Sequence, residues 1–332
     1  TIAKFIYEYD AAGNRITSTE YFSEVGTDDS AGAGVFDQAQ KFTWTYDGLN
    51  RLVVETFDSN EGGTTTLGTD TASDYVTRYT FDLASNRSLM QKDTGTHDNG
   101  SFSADETVTY TYDDNDRIET EAKVDHNNSA NDRNTRYVYD KTTQTSKTVR
   151  IGSVIDSGAL EEVHTSVYDA TGRMTQITVI KGATTTVTDY EYNDAGLRVS
   201  ATVTVNGGTP TTTLYHFDTN NHTGYAQVLE EGIDAGTPDG QLQFGEVDKS
   251  FTLGHDVIAQ MVSGELLALL YDIHGSTRAL VVADPVSPNR GQIKNDTAGG
   301  NGVQAFTFDA YGNMLNTAFG FDPTNATTSA MT

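Results

Sequence analysis

Residues 7–16, YEYDAAGNRI, place two tyrosines at alternate positions ahead of an aspartate, a glycine, an arginine and an aliphatic residue. Side chains alternate between the faces of a strand, so Tyr7 and Tyr9 are expected to share one face. The aspartate is placed to accept hydrogen bonds from backbone N–H groups two residues on, and the glycine supplies a positive φ near the end of the turn. The arginine and the aliphatic residue then open a returning strand, where the guanidinium can lie over a tyrosine ring or pair with an acid. The stretch therefore predicts a β-hairpin with a loop of about three to five residues.

The same pattern returns along the chain, as FTWTYDGLNRL (42–52), YTFDLASNRSL (79–89), YTYDDNDRI (110–118), SVYDATGRM (166–174), LLYDIHGSTRAL (269–280) and FTFDAYGNML (306–315) among others. The corner residues are Tyr9 and Asp10, Tyr46 and Asp47, Phe81 and Asp82, Tyr112 and Asp113, Tyr139 and Asp140, Tyr168 and Asp169, Tyr192, Phe217 and Asp218, Tyr271 and Asp272, and Phe308 and Asp309. Gaps between successive corner aromatics are 37, 35, 31, 27, 29, 24, 25, 54 and 37 residues, which describes one corner joined by segments of variable length. Ten copies of a catalytic set in one chain would have no purpose, so these residues are read as structural. A single hairpin cannot bury its aromatic face, and neighbouring copies must pair edge to edge. The expected fold is all-β: antiparallel hairpin repeats forming a continuous spiralling sheet, shell or barrel. Cross-strand aromatic and β-branched pairs, worth roughly 0.2–1 kcal/mol each, would spread its stability over many rows.

Several copies depart from the pattern. YDKTTQTSKTV (139–149) has no turn glycine, Asn193 stands where the acid is expected with Asp194 next to it, and FDTNNHTGYAQ (217–227) lacks the arginine. Those corners are expected to turn differently. The 54-residue gap from Phe217 to Tyr271 is expected to hold an additional hairpin, and 283–304, rich in glycine with two prolines, reads as a long loop at the sheet rim.

Charge and composition exclude several functions. With 47 acidic and 21 basic residues the formal net charge is −26, which repels phosphate backbones and anionic lipid surfaces, so neither nucleic acid nor a membrane surface is an expected partner. No apolar run of about 18 residues is present to span a bilayer. The absence of cysteine removes disulfides, thiolate metal sites and cysteine nucleophiles. Few lysines, many aspartates and threonines and no cysteine suit a prokaryotic secreted or surface protein. The chain opens on TIAKFIYEYD, with neither an initiator methionine nor a signal peptide, and is expected to be a piece of something longer.

Chemistry-bearing motifs are sparse. The seven histidines (97, 126, 164, 216, 222, 255 and 274) show no metal-ligand spacing, and His274 near Ser276 lacks the G-x-S-x-G elbow of a serine hydrolase. The acidic loops at 58–74, 125–134 and 234–241 offer oxygen ligands without the twelve-residue calcium-loop spacing. No catalytic, cofactor or metal residue is assigned, no cofactor is expected beyond weak divalent-cation binding to a chain this acidic, and an enzyme is not expected.

The pattern aromatic-Asp-x-x-Gly-x-Arg-aliphatic, recurring irregularly over nearly the whole chain, resembles the YD repeat of Rhs proteins, toxin-complex C components and teneurins. Its most specific part is residues 214–315, where LYHFDTNNHTGYAQVLEE, SFTLGHDVIAQ, LLYDIHGSTRAL and FDAYGNML follow one another. The resemblance implies residues 1–213 as a hairpin array and 214–332 as repeats approaching an Rhs core, in one continuous sheet. The tyrosine- and arginine-rich core segment itself is not among these residues, so no self-cleavage residue or toxin domain is assigned. The function so implied is a structural β-shell segment of a secreted or cell-surface protein, enclosing or presenting a C-terminal effector or toxin. Its partners would be the rest of its own polypeptide and that effector, or identical chains edge to edge. The alternative is a surface-displayed binding or adhesion module for glycans or neighbouring cells, assembling into tubes or filaments.

Overall fold

A computed structural model describes residues 3–22, 38–59, 67–68, 73–96, 101–139, 146–152, 162–220, 224–235, 239–296, 302–303 and 305–315. The fold is all-β and antiparallel, a sheet of twenty strands that is not closed into a barrel, with a separate two-stranded ladder. Among the described residues the only helical elements are single 3-10 turns at Ser129–Asn131 and Phe244–Glu246. The hairpin reading of the sequence is thus the observed secondary structure.

The chain divides into two compact units, residues 1–80, 90–105 and 265–332 in the first and residues 81–89 and 106–264 in the second. The first unit holds β1 (Ala3–Tyr9), β2 (Arg15–Phe22), β3 (Gln38–Tyr46), β4 (Leu52–Ser59) and nearly all of β5 (Tyr75–Phe81). After β6 (Arg87–Thr94), which is shared between the units, the second unit runs from β7 (Glu106–Tyr112) through β8 (Ile118–Asp125), β9 (Arg133–Tyr139), β10 (Ser146–Gly152), β11 (Glu162–Tyr168) and β12 (Met174–Lys181). It continues with β13 (Thr184–Tyr192), β14 (Arg198–Val205), β15 (Thr211–Asp218), β16 (Gln227–Ile233), β17 (Val247–Leu253) and β18 (Val257–Val262). The chain then returns to the first unit as β19 (Glu265–Tyr271), β20 (Thr277–Val282), β21 (Asn295–Asp296) and β22 (Gly302–Val303). The hairpin expected in the 54-residue gap is β17–β18, with Lys249 opposite Val262 and Leu253 opposite Val257.

Among the described residues three hydrophobic clusters are formed, all in the first unit. Phe42, Trp44, Phe57 and Tyr75 make one, Phe22, Ala279, Ile293 and Ala305 a second, and Leu267, Leu280, Val282 and Phe306 a third. The alternation Gln40, Phe42, Trp44 on one face of β3 and Lys41, Thr43, Thr45 on the other puts the aromatic residues inward. Each fully buried Phe is worth roughly 1.5–3 kcal/mol over its exposed state. β20 is buried on both faces from Arg278 to Val282, as its nearly continuous apolar run requires.

Two expectations need correction. The segment 283–304 is not simply a rim loop: the Val282 amide donates to the Gln292 carbonyl, the Gly291 amide donates to the Val282 carbonyl, the Lys294 amide donates to Leu280, and Ile293 bridges Val281 inside the core. An apolar residue between two polar ones can pair with an open strand edge, and that gain outweighs the flexibility of the surrounding glycines. The described part of this segment, with Ala305 and Phe306 beside Ala279 and Arg278, covers the outer edge of β20. The second correction is Asn193, whose corner turns like the others (below), because an amide oxygen accepts the same bonds as a carboxylate.

Candidate functional site: the corners and a buried polar cluster

The corners share one hydrogen-bond pattern. In the eight that begin at Asp10, Asp47, Asp82, Asp113, Asp169, Asn193, Asp272 and Asp309, the first residue's amide donates to the carbonyl four residues on, at 2.8–3.1 Å. Its own carbonyl accepts from the amide three residues on, at 2.9–3.2 Å. That third residue takes a positive φ, from 58° at Asn50 and Asp116 to 87° at Gly13. The side-chain Oδ1 accepts from the amide of the fourth residue, for example Asn14 at 2.8 Å, Arg51 at 3.0 Å and Leu197 at 3.0 Å. At Asp218 the Asn220 amide donates to Oδ1 at 2.9 Å. Asp140 lies outside the described residues.

Hydrogen bonds to the ionised form hold the Asp47 carboxyl below its ordinary range, the Arg51 amide and guanidinium contributing most. Asp113 is lowered chiefly by its bond to the Arg117 side chain. Asp10 is lowered chiefly by Asn14, and Asp169 chiefly by the Thr171 hydroxyl.

Tyr7 and Tyr9 alternate along an unbroken β1, and the extra residue at this corner, Ile16, is on the returning strand. Seven hairpins carry a register shift at the corner aromatic, at Glu8/Tyr9, Thr45/Tyr46, Thr111/Tyr112, Val167/Tyr168, Glu191/Tyr192, His216/Phe217 and Leu270/Tyr271. The corner tyrosine reaches the preceding corner: Tyr46 donates to the Arg15 carbonyl at 2.9 Å, Tyr112 to Arg87 at 2.8 Å, Tyr139 to Ile118 at 2.8 Å and Tyr192 to Met174 at 2.7 Å. In every case the acceptor lies five residues after the first residue of the earlier corner.

The position of the arginine decides whether it reaches its own corner acid, although Arg117 and Arg173 also lie over Tyr139 and Tyr192 at 4.4 and 5.0 Å. Four residues after the corner acid, Arg51, Arg117 and Arg173 place Nε 2.7–2.8 Å from the Oδ2 of Asp47, Asp113 and Asp169. One residue later, the side chain falls on the other face. Arg15 accordingly lies over Tyr7 and Trp44 at 5.3 and 4.4 Å, and Arg198 over Tyr190 and Tyr215 at 5.1 and 5.3 Å. In the first corner Asn14 takes the place of an arginine on Asp10, with Nδ2 2.9 Å from Oδ2.

Inside the first unit lies a polar cluster that the sequence reading did not find. Glu20 accepts from Ser18 at 3.2 Å, from Gln40 at 2.7 Å and from the Arg278 guanidinium. Arg278 also donates to the Phe306 carbonyl at 2.8 Å and meets Asp272 at 3.3 Å. Burial alone would lower the Arg278 pKa, but the two carboxylates, Glu20 above all, raise it. A second buried acid, Glu55, accepts from the Trp44 indole at 2.7 Å, the Tyr75 hydroxyl at 3.0 Å and the Ala310 amide at 2.8 Å. Burial nevertheless pushes the Glu55 carboxyl up. Gln40 donates to Thr307 at 2.5 Å, so the final corner, 305–315, is bound to β3 and β4 by polar contacts.

A cavity of about 410 Å³ adjoins this cluster, lined among others by Arg15, Trp44, Asp272, His274, Ser276 and Phe308. Asp272 accepts the backbone amides of His274 and Ser276 at 2.9 and 3.1 Å, so the acid serves the turn and orients no imidazole. The arrangement is not a hydrolase triad. Among the described residues no group of three or more His, Asp or Glu side chains is placed to hold a metal ion.

No family model matches the chain, and no curated protein matches it either. Solved structures similar to it include the crystal structure of TcdB2-TccC3-Cdc42, at 12% identity and a TM-score of 0.34 over 98% of this chain. This chain spans 16% of the length of that one. A porin-like protein from Bacteroides uniformis ATCC 8492 is similar at 13% identity and a TM-score of 0.31, over 70% of this chain and 88% of its own. At TM-scores this low neither likeness assigns a function.

Proposed function

We propose that this chain is a structural β-shell segment of a secreted or cell-surface YD-repeat protein of the Rhs-like kind, enclosing or presenting a C-terminal effector polypeptide. The observation that carries the reading is the bond from four corner tyrosines, Tyr46, Tyr112, Tyr139 and Tyr192, to the backbone of the corner before each. Contacts that recur at corner after corner build a wall, whereas a catalytic centre needs one set of groups converging once. The final corner supports the reading too, because Glu55 and Gln40 draw 305–315 onto the aromatic face of the first unit. On this reading the protein is a scaffold without a resident cofactor.

β1, the first described strand, pairs with β2 along one edge. An open edge recruits further strands, so the rest of the polypeptide or an identical chain would add there.

Protease treatment of the native full-length material tests the proposal. An enclosed polypeptide should survive digestion as a protected fragment and become sensitive once denaturant opens the sheet. Digestion of everything outside the repeats, with no fragment that gains sensitivity on denaturation, would overturn it.

A further inference from the structure

The polar groups around the 410 Å³ cavity fall into two sets. One set is fully engaged: Glu20 has three donors, Asp272 has two backbone amides and Arg278, and Asp309 accepts from Tyr311, from the Asn313 amide and from the Asn313 side chain. The other set is unengaged. Among the described residues the Arg15 guanidinium meets two aromatic faces and no carboxylate, and the His274 ring meets only the edge of Tyr7, at 5.9 Å. The Ser276 amide and carbonyl serve the turn, while its hydroxyl makes no bond among the described residues. Behind them the Tyr7 hydroxyl is buried without a partner.

A buried polar atom left without a partner is costly, and a cation held between two rings keeps its five N–H donors available around the ring edges. The unengaged groups are donors or can act as donors, while the acids that would repel an anion are already paired or hydrogen-bonded. We infer that the cavity binds a carboxylate with an apolar body, the carboxylate forked by Arg15 and bonded by Ser276 and His274, the body against Phe308. A volume of this order admits an amino-acid-sized group. The carboxylate comes either from a small molecule or from the end of a polypeptide. This site does not depend on the shell reading, since a wall with or without cargo would contain the same cavity.

Trp44 is the only tryptophan of the chain and lines the cavity, so its fluorescence reports occupancy directly. The probes are N-acetyl-leucine, a ten-residue peptide ending in a free leucine carboxylate, the amide of each, and inorganic phosphate. The expected result is a saturable change with a carboxylate and none with its amide. Saturation by N-acetyl-leucine indicates a small-molecule site, and saturation by the peptide acid alone indicates a polypeptide end. Arg15→Lys keeps the charge but loses the fork, and should weaken binding about tenfold, as should Ser276→Ala with its small change in packing. Arg198→Lys, in the same kind of aromatic sandwich without the cavity, should leave affinity unchanged. Equal responses to acid and amide, no saturable response to either acid, tighter binding of phosphate, or equal loss in the Arg198 variant would each overturn the inference.

Discussion

The Tyr46 hydroxyl donates to the carbonyl oxygen of Arg15 at 2.9 Å, joining two corners that lie 31 residues apart in the chain. The bond makes each corner a support for the one before it. Beside it the pairing register shifts at Thr45/Tyr46, where the returning strand β4 carries the extra residue Val53.

Tyr46→Phe removes this bond and little else. The expected cost is roughly 0.5–1.5 kcal/mol, the net worth of a typical hydrogen bond. The effect should be local to the earlier corner. Hydrogen exchange at the Asp10 and Gly13 amides should accelerate in the variant, while the Asp47 and Asn50 amides of the tyrosine's own corner keep their protection. Acceleration at the second pair alone would contradict a backward lock.

Glu55 offers a contrast between substitutions. Glu55→Leu strands the Trp44 indole, the Ala310 amide and the Tyr75 hydroxyl, at roughly 1–3 kcal/mol for each group that finds no other partner. Glu55→Gln keeps one oxygen for Trp44 and Ala310, and Tyr75 can turn its hydroxyl to accept. It should be much milder at neutral pH, by denaturant unfolding.

The same residue sets a pH dependence. Burial raises the folded-state pKa of Glu55 above the unfolded value, so its favourable contribution is complete below the unfolded pKa and is lost as pH rises through the folded pKa. Corner aspartates such as Asp47 and Asp113 are lowered, so theirs is complete above the ordinary carboxylate pKa and is lost as pH falls through the folded one. Stability measured against pH should therefore lose its Glu55-dependent fall above that range in Glu55→Gln. It should lose part of its acid-limb slope in Asp47→Asn.

Arg278→Met leaves Glu20 and Asp272 buried without their cation, and the expected loss is about 3–5 kcal/mol. Adding Glu20→Gln removes one of the orphaned charges. The double variant should unfold at a higher denaturant concentration than Arg278→Met alone, and a further loss in the double variant would show that the pair is not coupled as described.

Ile6 is 40% exposed on β1, the first described strand. If identical chains add at an edge of β1, Ile6→Lys should shift a concentration-dependent assembly toward the monomer in sedimentation, since an edge lysine opposes strand addition. An unchanged distribution would argue against association through β1.

What the sequence determined by itself is local. The acid, the positive-φ residue three positions later and the returning strand lie within about five residues, and every bond that closes the turn is made inside that span. The pattern therefore contains the turn, and even the Asn193 variant of it folds the same way. That an arginine four residues on, such as Arg51, reaches its own corner acid also follows from its offset. Only the tertiary structure decided the rest. Glu20 meets Arg278 across 258 residues and Glu55 meets the Ala310 amide across 255, and no spacing in the chain announces either pair. Those contacts arise because β20 and the last corner pack onto β1–β4, where a buried charge is tolerable only beside its counter-charge or several donors. Residue type alone could not place them, since it records that an acid is present but not whether folding will remove it from water.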